Sequence, residues 1–124
     1  MPTEVLHATD SRRHGTRALL RVEISDRSLI IVVHELGPAR GPDGQERMER
    51  WLAWLEQLEP PSVSDDIATD YTLQETRTAR GQGGNPGHSR LPMKATVSWH
   101  FGPPPPASAR RWTIDGRWIV ERPR

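Results

Sequence analysis

From Ala18 onward the chain alternates apolar and polar residues with a period of two. Leu20, Val22 and Ile24 alternate with Arg21, Glu23 and Ser25, the signature of a half-buried strand. Ser25-Asp26-Arg27-Ser28 has turn composition. The following LIIVVHEL is apolar on both faces and rich in β-branched residues, as a central strand requires. The two runs predict an antiparallel hairpin. The clearest alternation comes later, with Met93, Ala95, Val97, Trp99 and Phe101 on one face and Lys94, Thr96, Ser98 and His100 on the other. Tyr71 and Leu73, alternating with Thr72 and Gln74, predict a further strand. RRWTI and RWIV around Asp115-Gly116 predict a closing hairpin, because Asp-Gly suits the tight turn between two strands.

The period changes once. Met48, Trp51, Leu52, Leu55 and Leu58 fall at helical spacing, with Glu49, Arg50, Glu56 and Gln57 elsewhere. This predicts a short amphipathic helix over 45–58, ended by Pro60-Pro61. A strand edge is the alternative there, since Trp51 and Trp54 also suit strands. Residues 1–16 carry no pattern and read as a flexible arm, which leaves 17–124 as one domain. Residues 37–46 are a Gly- and Pro-rich loop, 79–90 (ARGQGGNPGHSR) are a Gly-rich loop, and Pro103 to Pro106 form a rigid spacer. No βαβ rhythm and no internal repeat is present. The predicted fold is mainly β, an antiparallel sandwich or small barrel of about six to eight strands with one short helical insert.

Composition narrows the chemistry. At 124 residues, 34% hydrophobic and 27% charged, the chain can build one modest core, which its five Trp help to fill. Trp99, Trp112 and Trp118 are expected inside it. A net charge of +1 gives no global field to recruit nucleic acid or an anionic membrane. The absence of Cys excludes disulfides, thiolate nucleophiles and Cys-based zinc sites. The opening MPTEVLHATDSRRHG has no apolar core of a signal peptide, and the longest apolar run, Leu29 to Val33, is strand-sized. The cytoplasm is therefore the default compartment.

The order Val63-Ser-Asp-Asp-Ile-Ala-Thr-Asp-Tyr71, Gly-rich loop, MKATVSWHF and PPPPASARRWTI is similar to bacterial immunoglobulin-like domains of uncharacterised type. LLRVEISDRSLIIVVHEL likewise resembles their opening strands. The resemblance covers residues 18–36 and 63–114. Ala68 stands where such domains usually carry Gly, and the insert 45–58 is not part of their core pattern. The resemblance implies an immunoglobulin-like sandwich with a binding or structural role, and it carries no catalytic residues.

Several clusters invite chemistry. Asp65, Asp66 and Asp70 could offer oxygens to a hard cation, although the Gly and distal Glu of an EF-hand are missing; an Asx-turn is the simpler use. The glycines of GQGGNPG fit neither a Walker loop nor a dinucleotide fingerprint. His34 and His100 could share a transition metal if their strands were neighbours. Ser98 and His100 lack the setting of a nucleophile elbow. Core packing is the simpler use of Trp51 and Trp54, but with Arg47 and Arg50 alongside they could instead form an exposed aromatic patch for a protein partner. Arg110, Arg111 and Arg117, interleaved with Trp112 and Trp118, have the basic-aromatic look of a nucleic-acid binder. The expectation is a non-enzymatic interaction or structural module that needs no cofactor and binds a protein partner or itself. The alternative is a nucleic-acid-binding β domain using the C-terminal hairpin.

Overall fold

The alternation around Trp99 decides the architecture. In a computed structural model describing residues 3–41, 44–79 and 91–123, Met93, Ala95, Val97, Trp99 and Phe101 are all buried. They belong to one long strand, β6 (Pro92–Gly102), which lies between β3 (Leu29–Ala39) and β5 (Thr72–Ala79). β2 (Arg17–Ile24) pairs with the other side of β3, and β1 (Glu4–Leu6) with β2, giving the order β1-β2-β3-β6-β5. A second sheet joins β4 (Val63–Asp65), β7 (Arg111–Ile114) and β8 (Trp118–Glu121) in the order β4-β7-β8. All pairs are antiparallel. The protein is thus mainly β, as the alternation predicts, with one helix among the described residues, α1 (Gln45–Gln57). The Gly-rich stretch 79–90 lies outside the described residues from residue 80 on.

Both sheets feed a single core cluster. Val22, Leu29, Ile31, Val33, Val97, Trp99 and Phe101 come from the first sheet; Trp112, Ile114, Trp118 and Val120 come from the second. Burying these aromatic and β-branched side chains supplies the main driving force for folding, at roughly 25 cal/mol per Å² of apolar surface. The closing hairpin turns on Asp115 and Gly116, both with positive φ, as a type I′ turn demands.

Two expectations need correction. Leu20 is exposed rather than buried, because a bulge between Leu19 and Arg21 shifts the register and turns Leu19 inward. Residues 3–16, the described part of the expected arm 1–16, are also not free. After β1, Ala8 bridges to Val120, Thr9 N–H donates to Ile119 O, and Trp118 Nε1–H donates to Arg12 O. The His14 ring meets Trp118 edge-on at 5.2 Å. This segment therefore laces the first sheet to the second, and a three-residue strand with one buried side chain is too short to show a period.

The helix forms where its spacing predicts. Glu46 in its first turn complements the helix dipole, and beyond Gln57 the backbone becomes extended at Leu58. Trp51 is buried, while Trp54, Leu55 and Leu58 rest against the core. Gly37 admits the Trp54 ring: a Cβ there would come within 2.5 Å of it. Met48 and Leu52 remain exposed, so the inward face is rotated from the stripe that the sequence suggests.

After β4 the chain turns through Ala68, which adopts φ 57, the left-handed conformation that glycine tolerates best. Replacing Ala68 with Gly is expected to stabilise the protein by up to about 1 kcal/mol. A urea unfolding midpoint below that of wild type would contradict this.

Candidate functional site

Open sheet edges are where a β protein offers unpaired backbone to another chain. Four edges bound the two sheets, and they differ sharply. β1 and β4 are three residues long. The outer edge of β8 is occupied by the Ala8 bridge and the Thr9 hydrogen bond. β5 runs for eight residues and pairs on one side only, with β6. Among the described residues it is the one long uncovered edge.

The composition of β5 explains both why it is a strand and why it stays open. Thr72-Leu-Gln-Glu-Thr-Arg-Thr-Ala79 is rich in Thr, a good strand former, but offers little to a core. Every side chain is exposed except that of Thr78, which is half-buried. Glu75 lies opposite His100 and Arg77 opposite Ser98, on the face turned away from the core; Thr76 lies opposite Trp99, on the core side. Arg77 donates two hydrogen bonds to Glu75, Nε–H to Oε1 at 2.9 Å and Nη2–H to Oε2 at 3.2 Å. That pair lowers the Glu75 pKa and raises that of Arg77, so both side chains stay charged across ordinary pH. A bulge at Gln74 bounds the regular ladder. The arrangement can accept an added strand through main-chain hydrogen bonds, with one acid and one base to set its register.

No family model, curated protein or solved structure matches this chain. Its function must therefore be argued from its own geometry.

The structure does not gather Trp51, Trp54, Arg47 and Arg50 into an exposed aromatic patch. Trp51 is 7% exposed, and Trp54 lies half-buried over Gly37. Arg47 Nη2–H donates to Gly41 O at 2.6 Å, while Arg50 is exposed.

The arginines of the closing hairpin do not form one basic surface with their tryptophans. Trp112 and Trp118 are buried and offer no face for a base to stack on. Arg111 pairs with Glu121 at 3.0 Å, at the end of the hairpin opposite Arg117, which lies beyond the Ile114–Trp118 pair about 10 Å along the strands. Arg110 is exposed, and its backbone N–H donates to Asp66 Oδ1 at 3.0 Å. Nearby, Arg122 donates to the carbonyls of Pro106, Ala107 and Ala109 and sits over the Trp112 ring.

The acid cluster is engaged in folding its own loop. Asp65 Oδ1 accepts from the N–H groups of Ile67 and Thr69, and Oδ2 from the Tyr71 hydroxyl at 2.7 Å. Asp66 accepts from Arg110 N–H, and Asp70 is exposed. Among the described residues no group of three His, Asp or Glu is placed to share a cation. His34 and His100 do lie on neighbouring strands, but His34 is opposite Thr96 and His100 opposite Ile30. Four residues of strand, about 13 Å, separate them. Burial and then Arg13, whose Nη2 lies 2.6 Å from Nδ1, hold the His34 pKa below its ordinary value.

Tyr71 ties this loop to the core. Its hydroxyl donates to Asp65 and accepts from Trp112 Nε1–H at 3.1 Å. Burial, helped by the Asp65 carboxylate, pushes the Tyr71 pKa up to about 12. Partial burial works against the Asp65 charge, but hydrogen bonds from Thr69, Tyr71 and Ile67 outweigh it and hold its pKa below the usual carboxylate range. A raised tyrosine pKa stabilises the fold fully below its unfolded value, near 10. That contribution is lost as pH rises through about 12. Tyr71 is the one tyrosine of the chain, so tyrosinate absorbance reports it directly. Unfolding midpoints are expected to fall in this alkaline window in wild type and to fall less in Tyr71→Phe.

A cavity of about 470 Å³ opens where the end of α1 meets β2 and the β7–β8 turn, lined by Arg17, Glu35, Glu59, Asp115 and Arg117 among others. Arg17 donates to the Glu35 carboxylate, to Asp115 Oδ2 at 3.0 Å and to Glu59 O. Burial opposes the Arg17 charge, yet the bonds to Glu35 and Asp115 more than offset it and raise its pKa. Asp115 Oδ1 also accepts from Ser62 N–H at 2.9 Å. The polar groups at its centre satisfy one another, so this is a staple between elements rather than a recognition site. No helix among the described residues is long and apolar enough to cross a membrane.

Proposed function

We propose that the chain is a non-enzymatic interaction module, an immunoglobulin-like sandwich that recruits its partner by strand addition at β5. The observation that carries the reading is the eight-residue edge of β5, which among the described residues is uncovered and runs regularly from Glu75 to Ala79, beside three edges that are short or covered. Natural sheets blunt long edges with proline, bulges or charged side chains; β5 has no proline, its bulge at Gln74 leaves Glu75 to Ala79 regular, and its two charges, Glu75 and Arg77, are paired with each other. The sandwich part of the reading is supported by two sheets sharing one core and by Tyr71. A tyrosine at the entry to a strand whose hydroxyl bonds back along the chain is a fastening used by immunoglobulin-like sandwiches. The non-enzymatic part is supported by the fate of the candidate acids and histidines, which are engaged in turns or held apart.

A photoactivatable side chain placed at the exposed position Thr76 is expected to form a cross-linked adduct, in purified protein or in host extract. The same group at Leu52, on the exposed side of α1, is expected to form none. An adduct from position 52 and none from position 76 would move the function to the helix and overturn the reading.

A further inference from the structure

We infer that the strand added at β5 is β5 of a second copy, antiparallel, about a two-fold axis through Thr76; this rests on the reading of β5 as the interaction edge. A two-fold relating antiparallel edge strands stands perpendicular to the sheet, so like faces stay together and the two sheets run on as one. The choice of centre is then limited by charge. Centring on Thr76 sets Glu75 opposite Arg77 of the second copy and, by symmetry, Arg77 opposite its Glu75. Both residues lie on the face turned away from the core, so the four charges form an alternating square. Centring on Glu75 sets Glu against Glu, and centring on Arg77 sets Arg against Arg, each destabilising directly across a pair of strands. On the core side, Thr76 meets Thr76, a favourable cross-strand pair. The bulge at Gln74 confines the ladder to the stretch that carries these charges.

Charge reversal tests this register with the full chain in sedimentation equilibrium. Wild type is expected to dimerise. Glu75→Arg and Arg77→Glu are each expected to weaken the dimer about ten- to hundred-fold, because each change creates two like-charge pairs. The double variant Glu75→Arg/Arg77→Glu recreates every pair and is expected to dimerise as wild type does. An equimolar mixture of the two single variants sets Arg opposite Glu at both positions, so it is expected to associate more tightly than either alone. All four side chains are exposed, and circular dichroism checks that each variant keeps its fold. A wild-type dimer indifferent to both reversals, or a double variant as weak as the singles, overturns the register and with it the inference. A wild type that stays monomeric while position 76 cross-links in host extract overturns the second copy but leaves the edge reading intact. A monomer with no cross-link at position 76 overturns both.

Discussion

Replacing Arg17 with Ala is expected to destabilise the fold by about 3–5 kcal/mol, the range seen when one partner of a buried ion pair is removed. Glu35, its principal partner, is only 2% exposed. Without the guanidinium its carboxylate would stay buried, with neither the counter-charge nor the hydrogen bond that makes burial tolerable. The same side chain holds Asp115, 98 residues away in the β7–β8 turn, and the carbonyl of Glu59 beyond α1. One residue therefore joins β2, β3, the end of the helix segment and the second sheet. The paired change Arg17→Met/Glu35→Leu removes both charges and is expected to recover much of the loss, since apolar packing can replace a buried ion pair. Urea unfolding of the three proteins measures this. A single variant within about 0.5 kcal/mol of wild type, the range of an ordinary surface change, would show that the cluster does not fasten the sheets.

Trp112→Ala is expected to cost a comparable amount, about 3–5 kcal/mol, as is usual for deleting a buried aromatic side chain. Trp112 is wholly buried and its indole N–H donates to Tyr71, so the substitution leaves a cavity and also unfastens the loop that Tyr71 secures. Arg122 would lose the ring beneath its guanidinium. Ile119→Ala on the neighbouring β8 strand is the control; that side chain is exposed, and the expected change is below about 1 kcal/mol. The contrast between the two separates a core tryptophan from a surface one. If Trp112→Ala were as mild as Ile119→Ala, the ring would be available at the surface, and the hairpin would regain its claim as a stacking platform.

The parts of the fold legible in the sequence are those where side-chain period and burial coincide. β3, β6 and the β7–β8 hairpin declare themselves because each has an apolar face that the core uses. α1 is legible in extent, but its inward face is set by where Gly37 lets Trp54 lie, which spacing alone does not reveal. Trp51 suits either core or surface by composition, and it is buried. β1 and β4 are too short to show a period, and Leu20 misleads because the bulge beside it is a pairing event rather than a pattern. The Arg17–Glu35–Asp115 staple joins residues distant in sequence that carry no common motif. The candidate site is the hardest to read in advance. TLQETRTA can be recognised as strand-forming, but its place at an edge depends on strand order, a property of the whole sheet.

Amide hydrogen exchange of the purified chain over a rising concentration series tests the central claim most directly, because it reads the β5 backbone itself. Pairing of β5 with a second copy predicts that amides within Thr72–Ala79 slow as the protein associates, while those of α1 and β1 keep their dilute-solution rates. Exchange in β5 that is indifferent to concentration, or added protection confined to α1, would contradict it.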